Sequence, residues 1–307
     1  MQGPVEEPVE RLPNKEVAVL RGHEGPVFVV KYNRTGQYCL TGGKDRTIRL
    51  WIPNRQLCIK TYTGHGQEVR DVACTQDNNR LASCGGDKQV FYWDVSTGRT
   101  IRRMHGHDHA VNAVVFAAHD TLIVTAGYDQ AVKVWDCRSN SMEAVQAMKC
   151  FQDSVTSVQV AGHAIVAGSV DGTVRTFDVR RGRVVTDDLH HPVTSVRLSN
   201  DGNCLLAGCL DARLRLLDRG SGEELAAYAG HANASAKLDC AFTGTDGCVL
   251  GGSETGEVLF WDLVDANVVA RMQAHTKAVV GLDYHPTDVG LATCSVDGTA
   301  KLWAAAD

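Results

Sequence analysis

The sequence predicts an all-β protein, a seven-bladed β-propeller closed by a strand from its own N-terminus. Three observations carry this reading. A Gly-His dipeptide recurs at 22–23, 64–65, 106–107 and 230–231, with Ala-His at 274–275, and His23, His65 and His107 are each 42 residues apart. Within the repeats, apolar residues alternate with period two, and turn residues separate the runs, as short strands require. The last repeat stops short of a fourth strand, while the run KEVAVLR at 15–21 precedes the first repeat and belongs to none.

The period has internal structure. Four repeats carry His, then Ser or Thr 18 residues on, Asp at 22 and Trp at 28. The sets are His23, Thr41, Asp45, Trp51; His65, Ser83, Asp87, Trp93; His107, Thr125, Asp129, Trp135; and His275, Thr293, Asp297, Trp303. This Gly-His to Trp-Asp signature resembles that of the WD-repeat β-propeller family. The resemblance implies that each set is a hydrogen-bond chain from Trp through hydroxyl and His to Asp. The residue types suit it: indole N–H only donates, hydroxyl and neutral imidazole do both, and carboxylate accepts. Removing one member strands a buried partner, at about 1–3 kcal/mol.

Three repeats depart from the pattern. In the fourth, Phe151, Ala167 and Phe177 stand at the His, Ser/Thr and Trp positions and Asp171 survives; in the fifth, Leu189, Ala207 and Leu217 do so and Asp211 survives. Losing polar partners together is nearly neutral. The sixth keeps His231 and Trp261 but has Gly251 and Thr255 in place of the hydroxyl and the carboxylate, so a water or another group is expected to satisfy His231.

The elements follow in order. Ala110–Phe116, Leu122–Ala126 and Ala131–Trp135 read as strands of the third repeat, and Thr100–Met104 as an outer strand. Four strands per repeat and seven repeats give seven blades, at about 22–61, 64–103, 106–148, 151–187, 189–228, 230–272 and 274–304. Residues 15–21 are expected to complete the seventh blade, since terminal blades must hide an open edge. Residues 1–13, acidic and proline-containing, are expected to be a flexible tail, and 14–304 one domain.

Composition narrows the function. Net charge is −5 and hydrophobic residues are 44% of the chain, which argues against a domain built to neutralise phosphates. The 11 cysteines include no C-x-x-C pair and sit in apolar contexts, which reads as buried reduced thiols in cytoplasm or nucleus. No apolar run reaches the length of a membrane span.

One stretch invites a metal reading: MHGHDH, with His105, His107 and His109 at alternate positions. His107 belongs to a repeat set. Successive strand residues point to opposite faces, so the three are not expected to converge, and neither metal nor cofactor is predicted. The Ser/Thr, His and Asp of the repeats are struts rather than a catalytic triad, and no phosphate loop or activated nucleophile is left over. An enzyme is therefore not expected.

The resemblance extends from about residue 15 to 303, carried by YCLTGGKDRTIRLW (38–51), GQEVRDV (66–72), GGDKQVFYWDVSTGR (85–99), AGYDQAVKVWDCRS (126–139), AGSVDGTVRTFDVRRG (167–182) and CLDARLRLLDRGSGE (209–223). The branch of the WD-repeat family with these stretches implies a non-catalytic, monomeric scaffold. Its implied partners are spliceosomal proteins or components of a mitogen-activated protein kinase cascade, in cytoplasm and nucleus, without a membrane or direct sequence-specific nucleic acid. A second reading is a substrate receptor of a cullin-type ubiquitin ligase. It rests on Trp135-Asp136-Cys137-Arg138, which resembles a ligase-adaptor docking box with Arg138 as its contact.

In a propeller the turns between second and third strands share one face with the starts of the first strands. Lys44 and Arg46 flank Asp45 there, Lys88 follows Asp87, and Arg70 lies between them in the ring. Phe28 and Tyr128 stand nearby as apolar anchors. Gly172, Ala212 and Gly298 occupy the position of Arg46 and Lys88 in later repeats, so the charge is one-sided. Such a patch suits an acidic or phosphorylated protein segment, although Glu68 and Asp71 are close enough to offset it.

Overall fold

The computed structural model describes residues 11–306. Seven four-stranded antiparallel sheets form a ring, and each blade runs from an inner strand on the central channel to an outer edge. In blade one the strands are Val27–Tyr32, Cys39–Gly43, Thr47–Ile52 and Leu57–Thr63. Inner strands pack on their neighbours all the way round, and that of blade one closes the circle against Val279–Tyr284 of blade seven. Apolar side chains between blades make the core. Val29, Leu40, Ile48 and Tyr62 of blade one meet Val69, Leu81, Phe91 and Trp93 of blade two, and similar clusters fill the other gaps.

Blade seven is completed by the N-terminal segment. Pro13–Leu20 pairs antiparallel with Ala300–Ala305, with Leu20 opposite Ala300, Ala18 opposite Leu302 and Glu16 opposite Trp303. Ala18 and Leu20 join the apolar cluster that also holds Val27, Trp51 and Leu302, so the strand bridges the two ends of the ring. The strand starts at Pro13, inside the stretch expected to be a tail, and Leu12 packs against the cluster between blades six and seven. Residues 1–10 of that expected tail lie outside the described residues.

Thr100–His105 is the outer strand of blade two. In blade three the outer strand shrinks to Gln146–Met148, because residues 137–145 run as irregular chain before rejoining the sheet. Among the described residues no helix is long and apolar enough to cross a membrane.

Candidate functional site

The four complete repeat sets form closed chains. In blade one Trp51 donates to Thr41 Oγ1 at 2.8 Å, Thr41 meets His23 Nε2 at 2.7 Å, and His23 Nδ1 meets Asp45 at 2.9 Å. The distances are 2.8, 2.8 and 2.9 Å through Ser83, His65 and Asp87 in blade two, and 2.9, 2.8 and 2.8 Å through Thr125, His107 and Asp129 in blade three. Blade seven gives 2.9, 2.8 and 3.1 Å through Thr293, His275 and Asp297. The carboxylate sets the direction. It can only accept, so a neutral His donates from Nδ1–H, its Nε2 takes the hydroxyl proton, and the hydroxyl oxygen accepts from the indole.

In blades one, two and seven the carboxylate also ties two pieces of backbone. Asp87 accepts from the N–H of Gly66 at 2.9 Å and of Gln89 at 3.2 Å, joining the entry loop of the blade to its central turn. Burial works against the Asp87 carboxylate, but His65 and these N–H groups outweigh it and hold its pKa below the usual range. Burial lowers the pKa of His23 and His275, with the neighbouring aspartates only partly opposing it. These sets are struts of the blades, with both partners spent on each other.

The degenerate blades use other solutions. Phe151 lies edge-on to Phe177 at 6.1 Å in blade four, and the Arg175 guanidinium sits 4.8 Å from the Phe151 ring. In blade five Arg215 grips Asp211 with two bonds, at 3.0 and 2.6 Å. Blade six leaves His231 buried, and neither ring nitrogen has a protein hydrogen-bond partner among the described residues. Burial pushes its pKa down to about 4. Ser253 Oγ takes over one duty of the missing aspartate, accepting the Ala232 N–H at 3.0 Å.

The MHGHDH histidines part company. His107 is buried in its strut, while His105 and His109 are exposed, His109 lying edge-on to Tyr128 at 5.9 Å. Among the described residues no group of three or more His, Cys, Asp and Glu is placed to hold a metal ion. No two cysteines are joined in a disulfide among the described residues, and burial raises the pKa of several, including Cys137 to about 11 and Cys240 to about 12.

The inner strands enclose a channel of about 600 Å³. Its walls carry polar residues that the repeat pattern did not reveal. Asp71 accepts the N–H of Val114 in the next blade at 2.9 Å, Asp283 that of Tyr32 at 2.8 Å, and Ser157 Oγ that of Val196 at 3.2 Å. These side chains staple adjacent blades. Arg197 reaches across to Asp283 at 2.9 Å, and Lys31 lies 3.9 Å from both Asp239 and Asp283. Burial pushes the Asp71 carboxyl up, against the opposing charges of Lys31 and Lys237. The sequence signal was an aspartate inside an apolar strand, in Val-Arg-Asp-Val and Gly-Leu-Asp-Tyr.

The face around the channel mouth holds the remaining candidates. Lys44, Arg46 and Lys88 are exposed on the turns of blades one and two, Phe28 is half-buried in the channel wall, and Tyr128 is 57% exposed. Arg70 departs from the expected open patch. Its guanidinium is held by Glu68 at 2.9 and 3.1 Å and by Asn112 Oδ1 at 2.7 Å, so its charge is already paired. Arg138 is exposed on the opposite edge of its blade, where the Trp-Asp pair ends, and its guanidinium folds back onto Asp136 at 3.2 and 3.3 Å.

One backbone feature links the turns. The residue after the strut aspartate has positive φ in every blade: Arg46 (65°), Lys88 (66°), Gln130 (63°), Gly172 (87°), Ala212 (58°), Gly256 (88°) and Gly298 (89°). Three blades place glycine there, as the left-handed conformation favours. Blades one to three keep long polar side chains at an expected cost of about 1–2 kcal/mol each.

Comparison with known proteins agrees with this architecture. The model of WD-domain G-beta repeats matches residues 14–51 and 266–304, and the model of the β-propeller in the nucleolar protein 10-like N-terminal domain matches residues 40–245. WD repeat domain-containing protein 83 of Rattus norvegicus is 52% identical over 292 residues, covering 95% of this chain and 92% of its own. The Homo sapiens protein of that name is 49% identical with the same coverage. An uncharacterised WD repeat-containing protein of Schizosaccharomyces pombe is 51% identical, covering 85% of this chain and 89% of its own. With these repeats, this ring and these relatives, the chain belongs to the WD-repeat β-propeller family, in the group of WD repeat domain-containing protein 83.

Proposed function

We propose that this protein is a non-catalytic adaptor whose channel-mouth face, at blades one to three, receives an acidic or phosphorylated segment of a partner protein. The observation that carries the reading is the left-handed turn. Arg46, Lys88 and Gln130 occupy backbone that favours glycine, and other blades do use glycine there. Backbone strain of this kind clusters at functional sites, and at this position only blades one to three carry side chains long enough to reach a partner. Lys44 adds a third exposed cation beside Arg46. Guanidinium and ammonium groups bind carboxylate or phosphate through charge-assisted hydrogen bonds. Tyr128 and Phe28 supply apolar anchors next to them, as interface centres require.

The assemblies that fit are the spliceosome and mitogen-activated protein kinase cascades, in nucleus and cytoplasm, on the strength of the resemblance of the whole chain to that branch of the family. Quantitative mass spectrometry of proteins that co-purify with the tagged chain from nuclear and cytosolic extracts tests this. Enrichment of splicing or kinase-cascade components supports the reading, and a partner set without either rejects it.

A further inference from the structure

Blade six is built differently at the channel. Its inner strand is Cys240–Phe242, three residues, where those of the other blades run six or seven. The chain before it leaves the sheet and turns over the channel mouth, so that Ala236 and Lys237 line the cavity. Lys237 Nζ donates to the carbonyl oxygen of Asn112 at 3.1 Å. Asn112 lies in blade three, three steps away in a ring of seven, so the contact joins opposite sides of the mouth.

A single carboxylate oxygen holds the near end. Glu254 Oε1 accepts the N–H groups of Ala234 (3.1 Å), Ser235 (2.8 Å) and Ala236 (2.9 Å) and the Ser235 hydroxyl (2.9 Å). Glu254 sits on the central turn of the same blade, one residue before the position that holds the strut aspartate elsewhere. On either side the chain is fixed: Asn233 and Leu238 are buried, the Leu238 carbonyl accepts from Thr194, and Asp239 N–H donates to Val280. Between these anchors Ala234 and Ser235 are exposed and carry almost no apolar surface to lose.

We propose that residues 234–237 are a movable strap that closes the channel mouth, with Glu254 as its latch and the Asn112 carbonyl as the catch for Lys237. Opening breaks the four bonds to Glu254 and the one to Asn112, and no bond of the strand ladders. Elements held by a few exposed hydrogen bonds and few apolar contacts are those that open locally. The strap uncovers the upper ends of the inner strands at Asn112, Thr156 and Thr194. It goes beyond the adaptor reading, because the Arg46 and Lys88 turns are exposed with the strap closed.

The test is thiol access to a Thr156→Cys protein, read at that peptide by mass spectrometry so that native cysteines do not contribute. Thr156 is buried in the channel wall next to Asn112 in the ring. Adding Glu254→Ala is expected to speed labelling about tenfold or more and to raise amide exchange at 234–236. Lys237→Ala, which removes the contact to the Asn112 carbonyl and one of the two charges that oppose the burial of Asp71, is expected to speed labelling by a smaller factor. Equal labelling rates in the three backgrounds overturn the proposal. Should Glu254→Ala lower the melting temperature, Lys237→Ala decides alone, and an unchanged rate there overturns it.

Discussion

Trp261 donates its indole N–H to the carbonyl oxygen of Ala229 at 2.9 Å, while the other four tryptophans donate to a Ser or Thr hydroxyl. The cause is Gly251, which stands where the hydroxyl belongs. The indole has found a backbone acceptor, but His231 has lost both neighbours. Thr255→Asp restores the carboxylate at the strut position. The expected outcome is a gain of about 1 kcal/mol, read by chemical denaturation. A clear loss shows that Thr255, through its contacts with Ser253 and Glu257, holds this turn in another way.

His231 also sets a pH dependence. Its folded pKa, about 4, lies below the ordinary value of 6.5. The unfolded chain therefore takes up this proton first as the pH falls. The contribution to stability is full above 6.5, declines through the window from 6.5 to 4, and is lost below it, by up to about 3 kcal/mol. His231→Phe copies the solution of blade four and removes the group. Its stability is expected to fall less steeply than wild type between pH 6.5 and 4. Parallel curves refute this assignment.

Asp87→Ala tests a complete strut. It strands His65 Nδ1 and frees the Gly66 and Gln89 N–H groups. A loss of about 1–3 kcal/mol is expected. Adding His65→Phe removes the stranded donor, and the double variant is expected to be no less stable than the single one. Additive losses contradict the chain as drawn.

Ring closure is tested by truncation. Removing residues 1–12 spares every pair between Pro13–Leu20 and Ala300–Ala305. Removing 1–21 exposes that edge and takes Ala18 and Leu20 from their cluster. The longer truncation is expected to melt several degrees lower. Equal melting temperatures argue against closure by this strand.

The repeat sets made the fold legible, because a Trp, a hydroxyl, a His and an Asp at fixed spacing fit only one arrangement of four strands. The closing strand is legible from its orphan position, although Pro13 ends an acidic, proline-containing stretch whose composition points to a tail. The paired state of Arg70 was less visible. Glu68 is two residues away, but Asn112 comes from the next blade, and only the ring brings it near. The channel staples at Asp71 and Asp283 and the strap at 234–237 had no signal running through all the repeats, since the residues that make them are not shared by every blade. The left-handed turn was concealed for the opposite reason: Arg46, Lys88 and Gln130 mask a position that glycine marks only in blades four, six and seven.

The adaptor reading turns on those side chains, and the double variant Arg46→Gly, Lys88→Gly tests it most directly. Glycine suits the positive φ of both turns, so the variant is expected to be more stable than wild type by about 1 kcal/mol or more, which separates a binding defect from a folding defect. The measurement is partner recovery from nuclear extract at physiological salt, by quantitative mass spectrometry against wild type. A more stable protein that recovers severalfold less of its partners is the predicted result. A more stable protein that recovers all of them undiminished contradicts the account.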